Sequence, residues 1–159
     1  MLVRRFRTTD QIQAKTLILS GLAEHWGEVD VALNEDLNSI ADVYGGNNRF
    51  WVAESEGKII GTGGLLVGTT TAEVVRMSVA KDYRRRGVGK KILNQLYKDA
   101  RRASVERLVL ETTASWLGVI QFYVNFGFEL SHETDGPFGT ESHFSMSLQA
   151  PDRDDSLPR

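Results

Sequence analysis

The sequence contains no cysteine and only three prolines among its 159 residues. The absence of cysteine excludes disulfides, thiolate metal sites and cysteine nucleophiles. No apolar run approaches the roughly 18 residues that a membrane-spanning helix needs, and residues 1–6 lack the apolar stretch of a secretory signal. We therefore expect a protein of the reducing cytoplasm with no membrane partner.

Basic residues are missing from one segment and concentrated in another. Residues 16–48 contain no lysine or arginine but six acidic residues, whereas residues 81–107 contain ten basic and three acidic residues. Because the net charge of the whole chain is −2, the basic segment indicates one localised anionic ligand and not a nucleic acid. Solvated helix faces are the alternative interpretation of both segments.

Hydrophobic periodicity predicts seven strands and four helices in one domain over residues 1–149, followed by a polar tail at 150–159. The predicted strands are residues 2–6, 49–54, 58–67, 72–79, 108–112, 128–130 and 143–148, with a loop at 133–141 between the last two. Two helices are expected between residues 8 and 44, a third at 87–103 and a fourth at 115–126. Asn34 and Ser115 are the predicted N-caps of the second and fourth helices, and Ile12 and Leu117 are placed on buried faces.

The most informative segment is a strand that runs into a basic, glycine-containing loop and then directly into a helix. The first turn of a helix leaves its N–H groups unpaired at the positive end of the helix dipole. Gly87 and Gly89 let an anion approach the backbone, so residues 84–90 predict a site for a pyrophosphate-sized anion. The glycine spacing excludes a Walker loop, and the preceding antiparallel strands exclude a dinucleotide-binding βαβ unit.

This segment resembles the signature of the GNAT superfamily of acyl-CoA-dependent N-acyltransferases, Arg/Gln-x-x-Gly-x-Gly/Ala, which residues 84–89 fit at every position. The preceding strand ends in Met77-Ser78-Val79, as the fourth strand of the family does. A second family motif, aromatic-Tyr-x-x-x-Gly-Phe, recurs at residues 122–128. The order of elements agrees from about residue 2 to residue 148. The resemblance implies the GNAT fold, an α+β fold with a mixed, mostly antiparallel sheet of six or seven strands and about four flanking helices.

The resemblance also implies that acetyl-CoA is the co-substrate. The main chain of the fourth strand would pair with the pantetheine arm, and an amide near Met77 would polarise the thioester carbonyl. The fourth and fifth strands would splay apart to admit the cofactor. The implied cofactor-binding residues are Met77, Ser78, Val79, Arg84, Arg85, Arg86, Gly87, Val88, Gly89 and Lys90.

Two catalytic residues are implied by position. Tyr123 matches the family's frequent general acid, and a phenol with a pKa of about 10 suits protonation of the departing thiolate. Because an amine acceptor is protonated at neutral pH, a base is needed, and Glu73 at the start of the fourth strand is the first candidate. Glu111, His25 and water are the alternatives. A core tyrosine and solvated carboxylates are the structural interpretations of the same residues.

The acceptor site of the family is lined by the first two helices, here the acidic residues 23–44. We expect a small-molecule amine rather than a protein as the acceptor, attracted by the acidic residues Glu24, Glu28, Glu35 or Asp36. Small amines, amino acids, antibiotics and protein N-termini are the open alternatives. The predicted substrate-binding residues are Glu24, Trp26 and Glu111. The loop at 133–141, with Phe138 at its tip, is a candidate rim. Trp116 stands where many family members have asparagine, which puts a polar contact to the pantetheine in doubt.

We therefore predict an N-acetyltransferase that works by direct attack in a ternary complex, since the chain offers no cysteine and no activated serine for an acyl-enzyme. No metal is expected, because His25, His132 and His143 show no ligand spacing. A non-catalytic acyl-CoA sensor, which would not need Tyr123, is the first alternative. A nucleic-acid-binding protein is the second, and the overall acidity argues against it. A homodimer through the closing strand is one expected route of assembly.

Overall fold

The computed structural model describes residues 1–148, apart from the side chain of Val31, and the predicted tail at 150–159 lies outside the described residues. A seven-stranded sheet runs through the centre. Its strands are β1 (Leu2–Arg5), β2 (Arg49–Ser55), β3 (Lys58–Val67), β4 (Thr71–Val79), β5 (Arg107–Thr113), β6 (Glu129–Gly136) and β7 (Gly139–Ser147). Their spatial order is β1-β2-β3-β4-β5-β7-β6. Only β4 and β5 pair in parallel, so the prediction of a mixed, mostly antiparallel α+β sheet is confirmed.

Helices cover the two faces of the sheet. They are α1 (Gln11–Trp26), α2 (Ile40–Val43), α3 (Val88–Arg102) and α4 (Leu117–Phe126), with 3-10 turns at Thr8–Asp10, Val31–Asn38 and Lys81–Tyr83. The helices α3 and α4 pack on one face, which we call the α3 face, where Ile92 and Leu96 are fully buried. The helices α1 and α2 pack on the opposite, α1 face over β2 and β3. No helix within residues 1–148 is long and apolar enough to span a bilayer.

Glycines in β3 let α3 lie directly on the strand backbone. A Cβ atom at Gly63 would stand 2.5 Å from Ile92 Cγ2 and 2.7 Å from Met77 Sδ, and one at Gly61 would stand 2.8 Å from Val88 Cγ1. Real Cβ atoms do not approach other atoms so closely, because interiors are already close-packed. The close packing predicted for this glycine-rich strand is therefore present, and it fixes the height of α3 above the sheet.

The strand β4 contains a bulge. Its Ser78 pairs with Thr62 and its Val75 with Gly64, so three steps along β4 oppose two along β3. Arg76 takes up the extra residue with φ at +55°, in the left-handed region. The Thr62 hydroxyl donates to the Arg76 carbonyl at 2.8 Å, which satisfies a group that the bulge removes from the ladder.

The two halves of the α1 face differ in cover. Leu37, Ile40 and Phe50 build a buried cluster over the β2–β4 half. Among the described residues, that cluster includes none from β5, β6 or β7. On the other half, over β5 to β7, the side chains of Glu111 and His132 are exposed. One half of the α1 face is therefore a packed layer, and the other is open.

Several local predictions were wrong. The second helical segment starts at Asp30, whose side chain accepts from the Ala32 N–H at 2.9 Å, and Asn34 lies inside it with non-helical angles. The fourth helix follows Trp116 and not a Ser115 cap. Ile12 and Leu117 are 79% and 74% exposed. The helices α1 and α4 bury Ala14 and Ile18, and Tyr123, instead.

The predicted loop at 133–141 is a hairpin. The strands β6 and β7 continue through it, with Thr134 opposite Glu141 and Gly136 opposite Gly139. Backbone hydrogen bonds hold this polar, exposed hairpin together, and its side chains carry no apolar alternation that would have predicted strands.

Candidate active site

The cleft of the molecule opens where β4 and β5 part. The two strands pair only at Thr71–Arg107, Ala72–Leu108 and Glu73–Val109. Beyond Glu73, β4 pairs with β3 on one side, and its other edge has no strand partner among the described residues. The strands therefore splay as the resemblance implies, and they leave backbone groups of β4 available to an extended ligand.

A run of free backbone amides stands at the mouth of this cleft. The N–H groups of residues 85–90 donate to no carbonyl of the described chain, and the first bond of α3 runs from Lys91 N to Gly87 O. Arg85 and Gly87 have positive φ values of 62° and 81°, which turn the chain around these amides. Consecutive N–H groups at a helix start form a concave binding site for anions, a nest, and the name is kept for residues 85–90 below.

Charged side chains frame the nest. The side chains of Arg85, Arg86 and Lys90 are exposed. Arg84 is tied down, since it donates to the Val79 carbonyl at 3.0 Å and to both oxygens of Glu24 at 2.8 and 3.1 Å. Hydrogen bonds from Arg84 lower the pKa of Glu24 below its ordinary value. Glu24, which was predicted to contact the acceptor, lies in an ion pair with the anion-binding loop.

The helix α4 brings aromatic rings to the nest. An added Cβ atom on Gly89 would lie 3.4 Å from the Phe122 ring. The next residue, Tyr123, is 7% exposed and packs its ring edge-on against Phe122 and Phe128. Within residues 1–148, each fully enclosed side-chain nitrogen or oxygen has a hydrogen-bond partner. The Tyr123 hydroxyl has no such partner among these residues, so it is not fully enclosed and is accessible to a ligand. Burial raises the pKa of Tyr123, which keeps its proton in place at neutral pH.

Glu73 sits at the fork of the cleft, half-buried, opposite Val109 of β5. Its pKa is raised, first by burial and then by the negative charge of Glu111, while His143 acts in the opposite direction. A carboxylate with a raised pKa holds a proton more readily than an ordinary one, as a general base requires. The structure therefore couples the two carboxylates that the sequence offered as separate candidates.

Four titratable side chains gather beside Glu73 on the open half of the α1 face, and we call them the open-face cluster: Glu111, His132, Glu141 and His143. Ligand atoms of Glu111, Glu141 and His143 lie within 4.8 Å of one another. His143 Nδ1 is 3.6 Å from Glu111, its Nε2 is 2.8 Å from the Thr134 hydroxyl, and its ring stacks on His132 with centroids 4.3 Å apart. The absence of a metal stays a prediction, because the histidine spacing on which it rested says nothing of donors that the sheet brings together.

An aromatic cover closes the far end of the same region. His25 stacks on Trp116 with ring centroids 4.0 Å apart, and Trp26 lies 5.4 Å from Trp116 and 5.3 Å from Phe138. The cover thus joins the end of α1, the β5–α4 connection and the β6–β7 turn. Trp26 and Phe138 stay 39% and 57% exposed, so they retain apolar surface for a ligand.

Sequence reasoning missed three residues of this region: Arg76, Glu141 and His143. The register of β7 opposite β5 places His143 beside Glu111 and Glu141 beside Thr113. Strand alternation within 141–147 is the signal that would have found them, but the partner strand cannot be read from one chain segment. Arg76 was missed because the bulge, which the sequence does not reveal, determines where its side chain points.

Comparisons with solved structures identify the fold. An acetyltransferase of the GNAT family from Staphylococcus aureus Mu50 superimposes with a TM-score of 0.83, at 22% identity over 93% of this chain and 99% of that chain. An aminoglycoside 6'-N-acetyltransferase complexed with coenzyme A gives a TM-score of 0.73, at 15% identity over 100% of this chain and 99% of that chain. These likenesses show the fold.

Sequence comparisons reach the same family. N-acetyltransferase 8B from Homo sapiens is 32% identical over 109 residues, which are 64% of this chain and 48% of the relative. The chain spans about half the length of this relative. A model of the Acetyltransferase (GNAT) family matches residues 14–128, which include the nest and Tyr123. The chain therefore belongs to the GNAT acetyltransferase family.

Proposed function

We propose that this chain transfers the acetyl group of acetyl-CoA to a primary amine on a small molecule, by direct attack in a ternary complex. The observation that carries the proposal is the nest, whose six consecutive amides at residues 85–90 have no carbonyl partner in the described chain. A pyrophosphate is the ligand that such a run of amides fits, since its oxygens accept several N–H bonds at once. Family membership makes acetyl-CoA the source of that pyrophosphate.

The free edge of β4 supports the placement of the rest of the cofactor. An extended pantetheine arm would pair with backbone groups of Met77, Ser78 and Val79, which have β3 on their other side. Its thioester would then stand near the bulge, between the nest and Glu73. A fixed backbone amide there would stabilise the negative charge that develops on the carbonyl oxygen.

The reaction balances with two proton carriers. Glu73 takes a proton from the acceptor ammonium, directly or through water, and the neutral nitrogen attacks the thioester carbon. The C–N bond forms, the C–S bond breaks, and Tyr123 donates its proton to the departing thiolate. The attacking nitrogen then loses its second proton through water to the Tyr123 phenolate, and Glu73 releases its proton to solvent, so both groups return to their starting states. Burial of Glu73 supports its role as a base, because it raises the pKa of that carboxyl group. The role of Tyr123 is supported by its position on α4, next to the Phe122 ring that contacts the nest.

The acceptor would approach over the open half of the α1 face. The carboxylates of Glu111 and Glu141 attract an ammonium group toward Glu73, and the aromatic cover offers contact to the rest of the molecule. Glu24 and Asp36 support the acceptor less directly than the sequence suggested, since each is bonded to an arginine, Arg84 and Arg76 respectively. Glu28 and Glu35 are exposed.

Calorimetric titration with acetyl-CoA and with CoA at 0.15 M salt tests the cofactor, and thiol release across a panel of primary amines tests the reaction. Micromolar binding of both nucleotides together with amine-dependent thiol release is the expected result. Binding without thiol release from any amine would make the chain an acyl-CoA sensor. No binding of either nucleotide would overturn the proposal.

A further inference from the structure

We propose that Arg76 is a positioning residue for acetyl transfer, which holds the β4 bulge in shape by clamping it to residues 31–44. The inference rests on the proposed function only in its catalytic consequence. The clamp consists of Asn34, Asp36, Tyr44 and Arg76. The resemblance gives Arg76 no role, and it sits one residue before the Met77 amide that is placed at the thioester.

The backbone of Arg76 is in an unfavourable conformation. The other non-glycine residues with positive φ within residues 1–148, Glu56, Arg85 and Ser104, lie in turns or loops, whereas Arg76 lies inside a strand. A left-handed residue other than glycine costs about 1–2 kcal/mol. Such a conformation persists where the surroundings determine it, and these positions concentrate at functional sites.

The side chain of Arg76 supplies that determination. Its Nε donates to Asp36 Oδ2 at 2.9 Å, a second guanidinium nitrogen donates to the other oxygen of Asp36, and Nη1 donates to Asn34 Oδ1 at 2.9 Å. The Tyr44 hydroxyl donates to the same Asp36 carboxylate at 3.0 Å. Every partner comes from residues 31–44, so one side chain joins that segment to the bulge.

The clamp is anchored at both of its ends. Asn34 is buried and donates to the Asp30 carbonyl at 2.7 Å, and the Arg76 carbonyl accepts from Thr62 of β3 at 2.8 Å. Burial raises the pKa of Asp36, but the hydrogen bonds and charge of Arg76 outweigh burial and leave it below its ordinary value. The carboxylate is thus ionised and the clamp closed throughout the neutral range.

The bulge matters because it sets the orientation and register of the residues that follow it along β4. Gly63 pairs with no residue of β4. The Met77 side chain turns to the α3 face, while those of Val75 and Arg76 stay on the α1 face. If the bulge relaxed, residues 77–79 would shift in register along the cleft edge. A displacement of about 1 Å at a reacting group can cost about 100-fold in rate. The nest lies beyond Ala80 and does not depend on the clamp.

Substitution by glycine and by alanine separates the side chain from the backbone. Glycine adopts φ of +55° freely, so Arg76→Gly removes the clamp without strain, whereas Arg76→Ala removes it and keeps the strain. We expect both to lower kcat by about 10- to 100-fold, with Arg76→Lys intermediate. The Kd for acetyl-CoA should rise by a smaller factor than kcat falls, because only the pantetheine contacts at residues 77–79 shift while the nest is separate.

Hydrogen–deuterium exchange without any ligand tests the clamp independently of activity. Faster exchange in peptides covering 31–44 and 74–80 of Arg76→Gly, relative to wild type, is expected. Unchanged exchange there, or a kcat for Arg76→Gly equal to wild type, would overturn the proposal. Equal losses of kcat and of acetyl-CoA affinity would also overturn it, as the sign of a general structural role. Tyr44→Phe, which removes one bond and no charge, provides the same readouts should Arg76→Gly fail to fold.

These outcomes are distinguishable from a failure of the proposed function. A wild-type protein that releases no thiol with any amine would contradict the transferase, while the exchange measurement would still decide whether Arg76 holds the bulge.

Discussion

The two walls of the cleft offer different chemical groups to a ligand. On one wall, the nest offers backbone amides of six successive residues, framed by exposed arginine and lysine side chains. On the other, the open-face cluster offers carboxylates and imidazoles from β5, β6 and β7. The first wall suits an anion and the second a cation, so in the proposed reaction the cofactor and the acceptor would bind on opposite sides.

The two walls differ in how much of each can be determined by one segment of the sequence. A nest is local, because its geometry depends on a few neighbouring residues and the start of one helix. A cluster of side chains on three strands depends on sheet register, and a shift of one residue would turn its members to the other face. The cofactor wall is therefore fixed by one segment, whereas the acceptor wall can vary through single side chains.

The largest effect is expected from a carboxylate placed in the nest. In Gly89→Glu the added Cβ atom would lie at an ordinary 3.4 Å from the Phe122 ring, so that atom does not force the backbone to move. The charge of the carboxylate would oppose the pyrophosphate, and we expect the Kd for acetyl-CoA to rise by at least about 1000-fold, or several kcal/mol. Calorimetry measures this change. Gly118→Glu is the matched control, since Gly118 is also the second residue of a helix and an added Cβ there meets nothing within 4 Å.

Removal of the Tyr123 hydroxyl should leave both walls intact and affect the reaction between them. We expect Tyr123→Phe to lower kcat by about 100-fold, within the range of general-acid contributions, with unchanged acetyl-CoA affinity. Thiol release measures kcat, and calorimetry on the same preparation measures the Kd for acetyl-CoA. A kcat equal to that of wild type would remove Tyr123 from the mechanism and leave it a core tyrosine.

Glu73→Gln should lower kcat/KM by about tenfold at pH 7, less than the loss at Tyr123 because water can accept the proton.

The wild-type rate should rise with pH through the pKa of Glu73, which lies above its ordinary value. Removing the negative charge of Glu111 lowers that pKa, so Glu111→Gln moves the rise to lower pH. Removing His143 has the opposite sign, and His143→Gln moves the rise to higher pH wherever the imidazole is charged. Shifts of the same sign in both variants would contradict the coupling.

The smallest effect is expected for the affinity of the acceptor wall. Glu141→Gln should raise KM for an amine by about twofold to fivefold, as exposed ion pairs contribute up to about 1 kcal/mol. The increase should shrink as salt is added, since salt screens exposed charges. Glu129→Gln, at an exposed position of β6, is the control for a general change in net charge. An equal effect of both variants would argue against a specific acceptor contact.

The parts of the fold that could be predicted are those that one segment determines. The amphipathic α3 and the strands β2 to β4 follow from apolar periodicity, and the nest follows from its loop. The second helix was predicted to begin at an Asn34 cap, but the segment consists of a 3-10 turn at Val31–Asn38 and the short α2. Its Asp36 bonds to Arg76, which lies 40 residues further along the chain and cannot be anticipated from the segment itself. The hairpin at β6 and β7 was missed because backbone bonds, not apolar side chains, hold it.

The same division applies to the site. Glu73 and Glu111 were identified singly, but their mutual effect on pKa depends on the parallel pairing of β4 and β5. Glu24 was assigned to the acceptor from the acidity of its neighbourhood, and the structure pairs it with Arg84 of the opposite wall. Composition thus locates charge along the chain, while tertiary structure decides which ligand that charge meets.

The glycines under α3 make the cofactor site sensitive to positions that no ligand touches. A methyl group at Gly63 would meet Ile92 and Met77 at 2.5 and 2.7 Å, so these side chains, or α3 as a whole, would have to shift. In a saturation mutagenesis experiment selected on cofactor binding, Gly61 and Gly63 should tolerate as little variation as Gly87, although they lie inside the sheet. Searches for binding determinants that consider only residues lining the cleft would overlook this layer of support.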